Sequence, residues 1–197
     1  MKIIGVTGGV GAGKSEVLRH LEQKYNCRVI FSDDVANIIK KKGMEAYDKL
    51  VELLGTDILN EEDGEIDRKK MANAVFGKPD VLKKINDILH PLTNDYIYEQ
   101  IEKEKNEKKL QILFIEAALL IETGYNKIVD EMWYIFADEE IRRKRLKASR
   151  GYSDAKIDKI ISSQLSESEF RAGSDFMIDN SGSLEDTLQI IDNHLKK

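Results

Sequence analysis

The chain has 197 residues, 41% of them hydrophobic and 34% charged, with a net charge of -5 and only two Pro. That length suits one domain with a real core and inserted lobes, and the acidic balance disfavours nucleic-acid binding by overall charge. The single cysteine, Cys27, excludes an intramolecular disulfide and a cysteine-based metal cluster; no apolar run reaches the length of a membrane span, and the opening "MKIIGVTGG" lacks a signal-peptide core, so the expectation is a soluble cytoplasmic protein with no membrane or nucleic-acid partner, its oligomeric state open and a monomer compatible.

Short apolar runs predict five strands: Lys2 to Thr7, Arg28 to Ser32, Leu110 to Ala117, Met132 to Ala137 and Phe176 to Asp179. Several are apolar without alternation, as expected of parallel strands buried on both faces. Helical patterns separate them, so the expected class is α/β with a parallel five-stranded sheet and right-handed crossovers. Two gaps are too long for simple crossovers. Residues 36–108 carry apolar residues at helix spacing and read as a helical insertion, with Pro79 placed to begin a helix and Pro91 to kink it. The run "EKEKNEKK" reads as a solvated helix end. Residues 139–173 read as two further helices broken at Gly151, with Ser153 as an N-cap.

The stretch Gly8-Gly9-Val10-Gly11-Ala12-Gly13-Lys14-Ser15 fits G-x-x-x-x-G-K-[ST], the Walker A phosphate loop, set between an apolar strand and the helical "SEVLRHLEQKY". Glycines let successive N–H groups approach phosphate oxygens without Cβ clashes. The helix that follows offers its N-terminal dipole to the anion. Lys14 adds a positive charge near the β and γ phosphates, and the Ser15 hydroxyl suits Mg²⁺. A ligand-free turn between strand and helix is the bland alternative. The guanine motif N-K-x-D fails, because Val129 follows Asn126-Lys127 at the acidic position, and no L-S-G-G-Q is present. The chain's size and the basic second gap favour a small-molecule kinase with an arginine-bearing lid.

Asp33 and Asp34 end the second apolar run. If that strand neighbours the first, a carboxylate there opens beside the phosphate loop and is placed to accept a hydroxyl proton during phosphoryl transfer. Alternatively the pair caps the helix "VANIIKKK". Glu116 ends the third run, either holding Mg²⁺ through water as a Walker B acid or merely closing a strand. Arg142, Arg143, Arg145, Lys147 and Arg150 form a basic stretch, either a solvated helix face or, in a lid, a source of charge for the transferring phosphoryl group.

The ordered set "GVTGGVGAGKS", "VIFSDDVA", "DGEIDRKKMANAVF", "LHP", "ALLIETG", "RRKRLKASRGYS", "SSQLSESEFR" and "DFMIDNSGS" covers nearly the whole chain and resembles the dephospho-coenzyme A kinase family. The first motif is generic to P-loop proteins; the others make the resemblance specific. It implies transfer of the ATP γ-phosphate to the 3′-hydroxyl of dephospho-coenzyme A. It also implies a P-loop NTPase three-layer core, with 36–108 as the coenzyme A-binding lobe and 139–173 as the lid. By the same resemblance Asp33 is the general base, and Lys14, Arg145 and Arg150 act on the phosphates. Gly11, Ala12, Gly13, Lys14, Ser15, Glu16 and Asn180 bind ATP, Asn180 near the adenine. Ser15 and Glu116 serve Mg²⁺. Arg68 pairs with a substrate phosphate, and His90 holds the helix at Pro91 in the substrate lobe. The chain departs from the family pattern at Phe31, in place of the first Asp of D-A-D, at Glu16, where Thr is usual, and at Ala118, where Pro is frequent. Two other readings are a kinase of another small hydroxyl compound and a nucleotide-dependent switch; a switch has no need of so long an insertion.

Overall fold

The computed structural model describes residues 1–117, 120–121 and 125–196, the side chain of Asn126 excepted. Ala118 and most of the "ALLIETG" motif therefore lie outside the described residues. The chain divides into two compact units, Met1–Ile30 with Lys108–Lys197, and Phe31–Glu107. The sequence bounds for the insertion were 36–108, so the second unit begins five residues earlier and takes in Asp33 and Asp34.

The first unit is built on a parallel sheet of β1 (Lys2–Thr7), β2 (Cys27–Phe31), β3 (Ile112–Glu116), β4 (Glu131–Phe136) and β5 (Phe176–Asp179) in the order β2-β3-β1-β4-β5. In register, Val6 lies beside Glu116, Thr7 beside Tyr134, and Phe136 beside Asp179. The strands lie within a residue or two of their expected bounds. Their neighbours differ in one respect: β2 is an edge strand beside β3 and does not touch β1. The condition attached to Asp33, that its strand flank the first, is therefore not met. The apolar runs lack alternation because both faces are covered. Ile4, Val6, Leu113, Phe114, Ile115, Met132, Trp133 and Ile135 are all buried, and the indole of Trp133 meets the rings of Phe114 and Phe176.

Helix α1 (Lys14–Lys24) buries Val17, Leu18 and Leu21, one stripe at helical spacing. It packs on β3 and on the C-terminal helix α9 (Leu184–Leu195). The residues 139–173 form three helices where two were expected: α6 (Glu139–Arg150), α7 (Asp154–Ser162) and α8 (Glu167–Ala172). The third is less than two turns long, too short for a helical period to show; its signal is the capping box at Ser166 and Glu169, which the structure forms. Gly151 ends α6 in the left-handed conformation and Ser153 caps α7 through the Lys156 amide, both as the sequence predicts. Each helix has a buried anchor, Leu146, Ile157 and Phe170 respectively, and Phe170 stacks on Tyr134 of β4.

The second unit is helical: α2 (Ser32–Ile38), α3 (Glu45–Leu54), α4 (Arg68–Val75) and the long α5 (Pro79–Glu107), against which the other three pack. Its core holds Val35, Ile39, Leu50, Ile58, Ile85, Ile97 and Ile101. Pro79 is the first residue of α5, where its missing N–H costs nothing. The helix continues through Pro91 as one element. The end of α5 is not wholly solvated as expected, since Glu104 is buried. An antiparallel bridge joins Leu59 and Ile66, and the Tyr47 hydroxyl donates to the Gly64 carbonyl at 2.6 Å.

Candidate active site

In the first unit the phosphate loop leaves the carboxyl end of β1, Glu116 closes β3, α6 follows β4, and Asn180 follows β5. Crevices at the carboxyl ends of parallel strands are where open α/β sheets take ligands. Gly13 is the N-cap of α1 at φ 88, a left-handed conformation that a side chain resists. A Cβ there would also stand 2.4 Å from the Asn180 amide nitrogen. The loop is thus closed from outside as well as turned from within.

The clamp on the loop is specific. Asn180 is buried and donates through Nδ2 to the Ala12 carbonyl at 2.7 Å, while its Oδ1 accepts from the buried Thr187 hydroxyl at 2.8 Å. Arg145 donates to the Asn180 carbonyl at 2.9 Å and reaches the Ala12 carbonyl at 3.4 Å. Gln164, two residues past the end of α7, accepts from the Val10 amide at 2.9 Å. None of Gln164, Thr187 or their bonds was legible from sequence, since each depends on contacts between residues more than a hundred positions apart or on a fold-specific turn. The "IDNSG" motif places Asn180 after β5, where its side chain bonds the loop and Thr187.

Lys14 reaches back to the Gly8 carbonyl at 2.7 Å and stands 3.5 Å from Glu116 Oε1. Its side chain is only 11% exposed. The ammonium is therefore enclosed with a carboxylate and a carbonyl. Ser15 is half-buried in the first turn of α1 and Glu16 is exposed beside it. Glu16 contributes its amide to the Gly13 carbonyl. Arg150, by contrast, is exposed at the end of α6, with its guanidinium 5.9 Å from the Tyr152 ring. Among the described residues it makes no hydrogen bond or ion pair with the loop.

In the second unit Asp33 and Asp34 lie in the first turn of α2, and the N-cap is Phe31. The capping alternative for either carboxylate is thereby removed, because a cap must precede the helix. Both are exposed. Asp33 acts electrostatically on Lys40, as does Arg68: burial lowers the Lys40 pKa, Arg68 lowers it further, and Asp33 opposes both. Lys40 was not singled out in the sequence, although it follows Asp33 by two helical turns. Arg68 is the first residue of α4, fixed by the Asp67 cap, whose Oδ1 accepts from the Lys69 and Lys70 amides at 2.8 Å each. His90 is exposed on α5, and no described hydrogen bond gives it a hold on the helix at Pro91.

The sequence matches the family model for dephospho-CoA kinase over residues 2–186. The chain belongs to the dephospho-CoA kinase family. It is 37% identical to a dephospho-CoA kinase of Carboxydothermus hydrogenoformans, the match covering 100% of this chain and 94% of the relative. A dephospho-CoA kinase of Streptococcus mutans is 36% identical, with 100% and 97% covered. A crystal structure of a Thermus thermophilus protein superposes with a TM-score of 0.79 at 27% identity, covering 99% of this chain and 96% of that one. Among the described residues no helix is long and apolar enough to cross a membrane.

Proposed function

We propose that the protein transfers the γ-phosphate of ATP to the 3′-hydroxyl of dephospho-coenzyme A, giving coenzyme A and ADP, the last step of coenzyme A biosynthesis, in the cytoplasm. The observation that carries this reading is the family match along residues 2–186, on a chain whose phosphate loop encloses Lys14 between Gly8 and Glu116. The loop amides from Gly11 to Glu16 bind the phosphates, with Asn180 and Arg145 keeping the loop in shape from the far side. Lys14 exchanges its carbonyl partner for phosphate oxygens. In the transfer, the bond from the 3′-oxygen to the γ-phosphorus forms, the bond from that phosphorus to the ADP oxygen breaks, and Asp33 takes the hydroxyl proton. Arg68, with Lys40 beside it, binds the anionic part of dephospho-coenzyme A, and His90 lies in the same substrate lobe. The helices within 139–173 act as the lid, with Arg150 as its outer arginine.

Mg²⁺ fits the first unit. Such an ion takes most of its ligands from phosphates and water and needs one or two protein groups. Ser15 and the buried carboxylate of Glu116 would supply them, and among the described residues no cluster of three or more His, Cys, Asp or Glu offers a cage instead. When bound, the ion neutralises charge on the β and γ phosphates.

The test is turnover of ATP in the presence and absence of dephospho-coenzyme A, with the product's mass measured. ATP consumption that requires dephospho-coenzyme A and yields coenzyme A is expected. Hydrolysis at the same rate without that acceptor, or with any other hydroxyl compound preferred, overturns the reading.

A further inference from the structure

Helix α6 meets the phosphate loop at Gly9, where a Cβ would stand 2.1 Å from Arg142 Nη1. The turn between β5 and α9 meets it at Ala12, and there the contact is a relay of two side chains. Asn180 is 4% exposed and Thr187 is wholly buried. The Ala12 carbonyl accepts from Asn180 Nδ2 at 2.7 Å, while Arg145 reaches it at the longer distance of 3.4 Å. A carbonyl only accepts, so the Asn180 amide must turn its NH₂ toward Ala12 and its oxygen away. That oxygen, Oδ1, faces the Thr187 hydroxyl at 2.8 Å.

Two oxygens that close need a proton between them, and only the hydroxyl has one to give. In a helix a threonine hydroxyl ordinarily bonds the carbonyl one turn back. Here that carbonyl, of Ser183, is farther at 3.1 Å and already accepts from the Thr187 amide at 3.2 Å; the Asp179 carbonyl is farther still at 3.4 Å. The proton therefore goes to Asn180, and without it Oδ1 would be buried and unpaired. Thr187 is itself fixed, since Ser183 caps α9 through the Asp186 amide and Leu188 and Ile191 are buried. The consequence reaches the donors of the loop. The Ala12 carbonyl and the Gly13 N–H share one planar trans peptide and point opposite ways. Fixing the carbonyl aims the Gly13 N–H away from Asn180, and among the described residues nothing accepts from it.

We infer that Thr187 is a positioning residue for nucleotide binding: its hydroxyl sets the Asn180 amide, and that amide, through the Ala12–Gly13 peptide, aims the Gly13 N–H at a phosphate of the bound nucleotide. The inference rests on the ATP-dependent reading and deepens it. Thr187 touches no nucleotide itself. The donor that it aims belongs to the backbone cradle, which a diphosphate and a triphosphate both occupy, so the effect falls on both.

The test uses Thr187→Val and Thr187→Ala in the full chain, both without the hydroxyl, and Thr187→Ser, which keeps it. Three quantities are read: the affinity for ADP, the affinity for a non-hydrolysable ATP analogue, both without acceptor, and the KM for dephospho-coenzyme A at saturating ATP. Both affinities should fall about tenfold in Thr187→Val and Thr187→Ala alike, and Thr187→Ser should restore them to within about twofold. The KM for dephospho-coenzyme A should hold. On an Asn180→Ala background, Thr187→Val should change neither affinity further, because Thr187 acts only through Asn180. Should Thr187→Val not fold, Thr187→Ala carries the same comparison. Unchanged affinities in Thr187→Val, a loss in Thr187→Ala alone, or an equal loss with and without Asn180 overturns the assignment. The affinities need no acceptor, so an error about dephospho-coenzyme A appears in turnover alone, and an error about Thr187 appears in nucleotide binding.

Discussion

The two units handle charge in opposite ways. Around the phosphate loop three side chains are bonded in place: Lys14 to Gly8 and beside Glu116, Asn180 to Ala12 and Thr187, Arg145 to Ala12 and Asn180. In the helical unit Asp33, Asp34, Arg68 and His90 are exposed on helix surfaces, and Lys40 is the half-buried member of the group. An enclosed, bonded group is pre-organised and couples chemistry to folding. An exposed one can be changed with little effect on the fold. The same kind of substitution should therefore separate rate from stability differently in each unit.

The largest effect on rate is expected from Asp33→Asn. The variant keeps the shape and removes the basic lone pair, so kcat at saturating ATP should fall by about 10²–10⁴-fold. The thermal midpoint should not move, because Asp33 is exposed and is not the cap of α2. A near-normal kcat would remove Asp33 from the chemistry and leave Asp34 and Glu116 as candidates.

Lys14→Ala should change both quantities. Turnover should fall by about 10²–10³-fold, the scale for losing one charged stabiliser of the transferring group. The midpoint should fall too, since Glu116 would be left buried without its ammonium neighbour; a cost of about 1–3 kcal/mol is expected. Calorimetry alongside kinetics checks this. A midpoint equal to that of the unaltered protein would mean that Glu116 does not depend on Lys14.

The smallest effect belongs to Asp67→Ala, which removes the cap of α4. A midpoint lower by about 2–4 °C is expected near neutral pH, with kcat held. Amide hydrogen bonds from Lys70 and then Lys69 hold the Asp67 carboxyl below its ordinary pKa. A carboxylate depressed in the folded state stabilises above its unfolded pKa and loses that contribution as pH falls through the folded one. The deficit of Asp67→Ala should accordingly be full near neutrality and fade in acid. A deficit that persists below the carboxylate range would show that packing, not the charged cap, had been lost.

What the sequence by itself determined is local. The loop from Gly8 to Ser15, the start of α5 at Pro79, the stop at Gly151 and the cap at Ser153 were legible because each rests on the conformational needs of a few adjacent residues. The strands were legible because apolar runs without alternation suit a sheet covered on both faces. What only the tertiary structure decided is partnership. β2 lies beside β3 and not β1, Asp33 and Asp34 stand inside a helix that Phe31 caps, Lys14 is enclosed, and Arg142, Arg143 and Arg145 have three different environments although they lie within four consecutive residues. Neighbours on a helix point in different directions, about 100° apart per residue. Which of them meets a carboxylate, a carbonyl or the phosphate loop is set by the elements packed around the helix, and no local pattern carries that information.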